Sequence, residues 1–202
     1  MGLAALIVLL IGGYIVGMIT GLLIVPLFTG DSFMEFGDII GGLNENSDGK
    51  YRVSVMVYQL IVVFFAFILS SVFVLFGFSY YSPKKIFSEY KPSAVMIIFA
   101  VMAFLAALPF VNWLGGLNQA MHLPDALSGI EDKFRALEDA AINQTAFMTN
   151  FSSFGEFVLG FIVIAVMAGV AEELFFRGIM QNQLKDITKN PHIAIWVTAF
   201  IF

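Results

Sequence analysis

The stretch "FVLGFIVIAVMAGVAEELFFRG", residues 157–178, decides the fold. Its first fifteen residues, 157–171, carry no charge, and a helix of about 20 such residues crosses a hydrocarbon core of about 30 Å. Two carboxylates, Glu172 and Glu173, then stand side by side, and Arg177 follows one turn later. The run reads as a membrane-spanning helix that meets charge near one end. The rest of the chain must show whether lipid is its solvent.

The 202 residues are 59% hydrophobic and 15% aromatic, with 12% charged against roughly 25% in an ordinary soluble protein. The mean hydropathy is +0.90. A water-soluble globule cannot bury that much apolar surface, so the composition demands a polytopic helical membrane protein. There are no cysteines, which excludes disulfides and thiolate metal sites. The net charge of −5 comes from acidic loops, and no basic run points to nucleic acid. The first segment lacks the basic start and small-residue cleavage site of a signal peptide and reads as a retained helix.

Four spans follow from the apolar runs: Leu3 to Phe28, Val53 to Phe78, Ser93 to Trp113 and Phe154 to Phe176. A fifth stretch begins near Ile193 and reaches Phe202 at about half the crossing length. A free carboxylate at membrane depth is costly, so the natural chain is expected to continue past Phe202. The expected class is all-α, a bundle of four full spans plus the start of a fifth, forming one integral membrane domain, 1–202. Within it, 1–113 holds the first three spans, 114–153 an outer loop, and 154–202 the charged helix, a cytoplasmic connector and the next helix's start.

Lys84, Lys85 and Lys91 occupy one short loop, and Arg177, Lys185 and Lys189 follow the fourth span. The opposite loops are acidic: Asp31, Glu35, Asp38, Glu45 and Asp48 precede the second span, and Asp125, Glu131, Asp132, Glu138 and Asp139 follow the third. Basic loops stay cytoplasmic, which places the N-terminus and the Glu pair on the cytoplasmic side. In the first span Gly13, Gly17 and Gly21 form a stripe where another helix can approach closely. In the outer loop Leu127, Ile130, Phe134, Leu137 and Ala141, opened by Pro124, mark an amphipathic helix for the membrane face or a cap on the bundle. Asn-x-Ser/Thr matches at Asn143 and Asn150 are too common to carry weight.

A carboxylate at a helix centre costs about 2.5 to 3.5 kcal/mol on the insertion scale, so two together need a reason. They can snorkel at the boundary, form a structural ion pair with Arg177, or serve a reaction. At about 100° per residue, Arg177 falls about 40° from Glu173 but about 140° from Glu172. The simplest arrangement pairs Glu173 with Arg177 and turns Glu172 into the bundle, toward water, a metal or another polar partner. A buried carboxylate facing trapped water has the makings of a general base. Spacing alone leaves the structural ion pair open beside it.

"EELFFRG", residues 172–178, resembles the E-E-x-x-x-R motif of the CPBP family, the CAAX-protease and bacteriocin-processing intramembrane proteases also called the Abi family. The outer-loop helix is similar, less specifically, to that of some bacterial members. The resemblance implies an endopeptidase in which Glu172 activates a water while Glu173 and Arg177 support it. It implies a second motif, F-x-x-x-H, whose phenylalanine would be Phe200 or Phe202 and whose histidine would lie beyond the chain, so residues 1–202 alone are not expected to cleave. It also implies zinc in the complete protein, although no metal set is visible within this chain.

The implied partners are a peptide or protein substrate, lipidated in some members, and membrane lipid. The implied setting is a bacterial cytoplasmic membrane, with processing and bacteriocin immunity both open. His122 and His192 fall in loops and match no family position. The competing reading is a non-catalytic membrane protein, an immunity factor, transporter or scaffold, with a structural Glu–Arg pair.

Overall fold

The structure is a computed structural model that describes residues 3–44, 47–77 and 93–202, all helices and connections with no strand among them. The helices are α1 (Leu3–Thr29), α2 (Phe33–Gly41), α3 (Gly49–Phe76), α4 (Ala94–Ala120), α5 (Ser128–Thr149), α6 (Phe154–Thr188) and α7 (Pro191–Ile201). Of these, α1, α3, α4 and α6 are long and apolar enough to cross a membrane. The four spans expected from the sequence are therefore present, and the protein is an all-α polytopic chain. The basic loop with Lys84, Lys85 and Lys91 lies outside the described residues, as does Glu45.

The ends of the spans differ from the hydropathy reading for local reasons. At the start of α3 the Asp48 carboxylate accepts the Lys50 N–H and opens a turn at Gly49–Tyr51. At the far end, α4 runs to Ala120, and its N-terminus is capped by the Ser93 hydroxyl on Met96 N–H. The largest difference is in α6, which passes Phe176 without stopping and ends at Thr188, where Lys189 adopts a left-handed conformation with φ 54°. Residues Arg177 to Thr188 look like a connector by polarity, but Gln183 and Leu184 are buried and hold the helix to the fold. Its 35 residues extend about 52 Å at 1.5 Å per residue, well beyond one hydrocarbon core. Between α1 and α3, α2 begins with a reciprocal cap: Ser32 accepts from Glu35 N–H and Glu35 accepts from Ser32 N–H.

The chain divides into two compact units, residues 1–86 with 140–202, and residues 87–139. In the first, α1 lies against α3 along the glycine stripe. A Cβ on Gly17 would sit 2.9 Å from Val62 Cα and 3.0 Å from Phe65 Cβ; one on Gly21 would sit 2.6 Å from Tyr58 Cδ2, and one on Gly13 would strike the Phe65 carbonyl. Close backbone approach is thus built into three turns of α1. The Ser70 hydroxyl donates to Leu9 O across this seam at 3.0 Å. Gly17→Leu should separate the helices and cost about 1–3 kcal/mol in a denaturant titration, whereas Gly12→Ala, with nothing within 4 Å, should leave stability unchanged or slightly raised. Equal losses from both would refute the seam.

One apolar cluster joins Leu6 of α1, Val74 and Leu75 of α3, Phe175, Ile179, Met180 and Leu184 of α6 and Ala194 of α7. It fixes the charged turn of α6 against three other helices. The Phe67 ring meets Phe175 edge-on at 5.8 Å, and Phe176 meets Phe202 at 5.2 Å, contacts of a kind that contribute about 0.5–1.5 kcal/mol beyond burial. At the other end, Arg52 is buried among the starts of α3 and α6 and the end of α5. Its Nε donates to Phe147 O at 2.9 Å, and its Nη1 donates to Ser152 Oγ at 2.9 Å and Glu156 Oε2 at 2.7 Å.

In the second unit α4 exposes its apolar side chains along its length, and Leu127, Ile130, Phe134 and Leu137 form an exposed stripe where α5 begins. That stripe is the amphipathic pattern the spacing predicts. Glu131 organises the turn between the helices: it accepts from Leu123 N–H at 2.7 Å and from Arg135 Nη2 at 2.7 Å, and meets His122 Nδ1 at 3.0 Å. These donors, the Leu123 amide first, hold its carboxyl down from the usual 4.5 to about 2. A folded pKa below the unfolded one stabilises at higher pH, so the turn is fully supported above 4.5 and loses that support as pH falls toward about 2. A carboxyl-carbon NMR titration of Glu131 should show its midpoint near 2; a midpoint at 4.5 would mean the turn is not formed.

Candidate active site

The charged motif sits inside α6, not at its end. Ala168–Glu173 is α-helical, and Leu174–Met180 forms a π-turn in which Gln181 N–H reaches back to Phe176 O. Such turns carry a surplus residue and are found disproportionately at functional sites. Nothing in the residue types announces this one, because its cause is the fit of Phe175, Gly178, Ile179 and Met180, all buried, against neighbouring helices.

Arg177 Nε donates to Glu173 Oε2 at 3.0 Å, the i,i+4 neighbour that the spacing predicts. Both side chains lie on the open side of the helix, 73% and 48% exposed. Glu172 is half-buried, next to the fully buried Ala171. The two carboxylates thus occupy different surroundings.

A cleft of about 370 Å³ opens between α6 and α7, lined by Glu173, Phe176, Arg177, Gln181, Ile195, Thr198, Ala199 and Phe202. It is Glu173, not Glu172, that shares this cleft with Arg177. The expectation that Glu172 faces the interior while Glu173 keeps to an outer face did not foresee this: α7 packs beside Phe176 through Phe202, and the cleft between the helices takes in Glu173 and Arg177. Glu172 stands about 100° away around the helix.

Two polar features, one in the cleft and one just past the motif, were missed by reading the sequence. The Thr198 side chain is 4% exposed, and its hydroxyl finds no hydrogen-bond partner among the described residues. A buried hydroxyl in an apolar helix of a membrane chain was the available signal. The Asn182 amide donates to Gly178 O at 2.8 Å and secures the turn that follows the motif.

The resemblance implies zinc in the complete protein, with histidine ligands expected past Phe202. No group of three or more His, Asp or Glu among them could hold a metal ion. Glu173 is engaged by Arg177, His122 is hydrogen-bonded to Glu131, and His192 opens α7 with its backbone N–H donated to Asn190.

Residues 154–202 match a family model for type II CAAX prenyl endopeptidases, Rce1-like. The match begins with α6 and takes in the motif, the cleft and α7. The curated proteins and the solved structures give no match. The segment that carries Glu172, Glu173 and Arg177 is therefore similar to the type II CAAX prenyl endopeptidases.

Proposed function

We propose that the protein is an intramembrane endopeptidase of the CPBP type, with Glu172 as general base and the Glu173–Arg177 pair as its support. One observation carries the reading: two adjacent carboxylates differ in surroundings, one paired with arginine and one half-buried without that arginine, inside the segment that matches the endopeptidase family. Glu173 is engaged by Arg177, which leaves Glu172 as the carboxylate to act on water. Glu172 would take a proton from water as the resulting hydroxide attacks the peptide carbonyl carbon. The same proton would then pass to the departing amine nitrogen as the C–N bond breaks.

The substrate is a peptide or protein at the membrane, lipidated or not. By the basic loops, the N-terminus and the motif face the cytoplasm, in keeping with a bacterial inner-membrane enzyme. A role in maturation or in bacteriocin immunity would rest on the same hydrolysis.

The structural reading of the Glu–Arg pair is disfavoured by its exposure, since open i,i+4 pairs contribute about 0.3–0.5 kcal/mol. The two readings separate on three variants of the natural protein in lipid, Glu172→Ala, Glu173→Ala and Arg177→Ala, assayed for peptide hydrolysis and for folded yield. The enzyme reading expects Glu172→Ala to abolish hydrolysis with folded yield intact. Equal loss of folded protein from all three would overturn it in favour of a structural pair.

A further inference from the structure

We propose that Thr198 is a substrate-positioning residue, its hydroxyl hydrogen-bonding the main chain of a neutral, apolar peptide segment laid in the cleft between α6 and α7. The inference rests on the endopeptidase reading and adds to it a residue and a subsite. Thr198 and Arg177 both line the cleft, one on α7 and the other on α6. A buried hydroxyl without a partner is costly in an apolar medium and gains most from a ligand that supplies one.

The lining fixes the ligand's character. Arg177 is already neutralised by Glu173, so the cleft holds no net charge to attract an ion. Phe176, Ile195, Ala199 and Phe202 make the remaining wall apolar. At about 370 Å³ the space lies within the range of small-ligand sites. A peptide entering from lipid must satisfy its own N–H and C=O groups, and a hydroxyl can both donate and accept. Thr198 lines the cleft that the motif pair also lines, and a turn about χ1 brings its buried hydroxyl to a peptide there.

The test uses the natural protein in lipid nanodiscs carrying Glu172→Gln, so that peptide is bound and not cleaved. The probe is a short fluorescein-labelled peptide of leucine and alanine, followed by anisotropy. Thr198→Val, which removes the hydroxyl and keeps the shape, should weaken Kd about two- to ten-fold, the loss of one hydrogen bond. Thr198→Ser should restore it. A lysine placed mid-peptide should weaken binding more than about tenfold, because its charge finds no partner in the cleft. With Glu172 intact, Thr198→Val should raise KM and spare kcat.

An unchanged Kd, a lowered melting temperature with Kd unchanged, or no binding at all would overturn the role of Thr198. Hydrolysis that survives Glu172→Gln, alongside a Kd that depends on Thr198, would instead overturn the catalytic reading and leave the subsite standing.

Discussion

Glu172→Gln, in the natural protein embedded in lipid, should slow peptide hydrolysis by about 10²–10⁴-fold with the helices and the melting temperature unchanged. That is the range contributed by a positioned general acid–base group. The substitution keeps size and hydrogen-bonding capacity and removes only the ability to take a proton. Among the described residues Glu172 has no salt bridge to lose, since Arg177 is held by Glu173 at 3.0 Å. The loss should therefore fall on kcat and kcat/KM alike, with KM little altered. Glu173→Gln should behave differently, because it leaves Arg177 in the cleft without its counter-charge and disturbs peptide binding as well as rate. A hydrolysis rate unchanged by Glu172→Gln would end the general-base assignment.

Arg52→Ala should be the most destabilising single substitution in the chain, lowering unfolding free energy by about 3–5 kcal/mol. The guanidinium is 5% exposed and its partner Glu156 is 18% exposed. Removing it strands the Glu156 carboxylate and takes a donor from the Phe147 carbonyl and the Ser152 hydroxyl together. It also empties the space beside the Phe147 ring, over which the guanidinium carbon lies at 5.4 Å. Replacing both charges, Arg52→Met with Glu156→Leu, should recover most of the loss, because the penalty comes from an uncompensated charge more than from the missing attraction. Denaturant titration in detergent micelles decides it: a double variant as unstable as Arg52→Ala would show that geometry, not charge, is what the node supplies.

Much of the fold was legible because lipid makes hydropathy a strong signal. Leu3 to Phe28 and Phe154 to Phe176 are too apolar and too long to be anything but spans. The Glu173–Arg177 pair was legible for a similar reason, since four residues on a helix is a fixed geometry. What escaped is what depends on a partner far along the chain. Arg52 and Glu156 lie 104 residues apart and count separately in any loop-charge argument. Thr198 is one hydroxyl in an apolar run until α7 is seen to bury it. The helical character of Gln181 to Thr188 was hidden by polarity, because Gln183 and Leu184 show their inward face only once α6 is packed. The cap of α2 was written openly as Ser32 and Glu35, inside a loop read only for its charge.

The π-turn at Leu174–Met180 is the second in α6, after one at Phe161–Met167, and its surplus residue shifts the phase of the helix at the motif. Everything after Met180 is rotated relative to what an unbroken α-helix from Phe154 would present. Deleting a residue among Leu174, Phe175 and Phe176 would let the turn close as ordinary α-helix and keep Leu184 aimed at its pocket, but it would erase the spacing between the acids and Arg177. Deleting one from the α-helical stretch Phe154–Gly160 would preserve that spacing and swing the start of the helix out of register with its neighbours. Motif spacing and helix docking thus make separate demands on chain length, and the wide turn is where both are met.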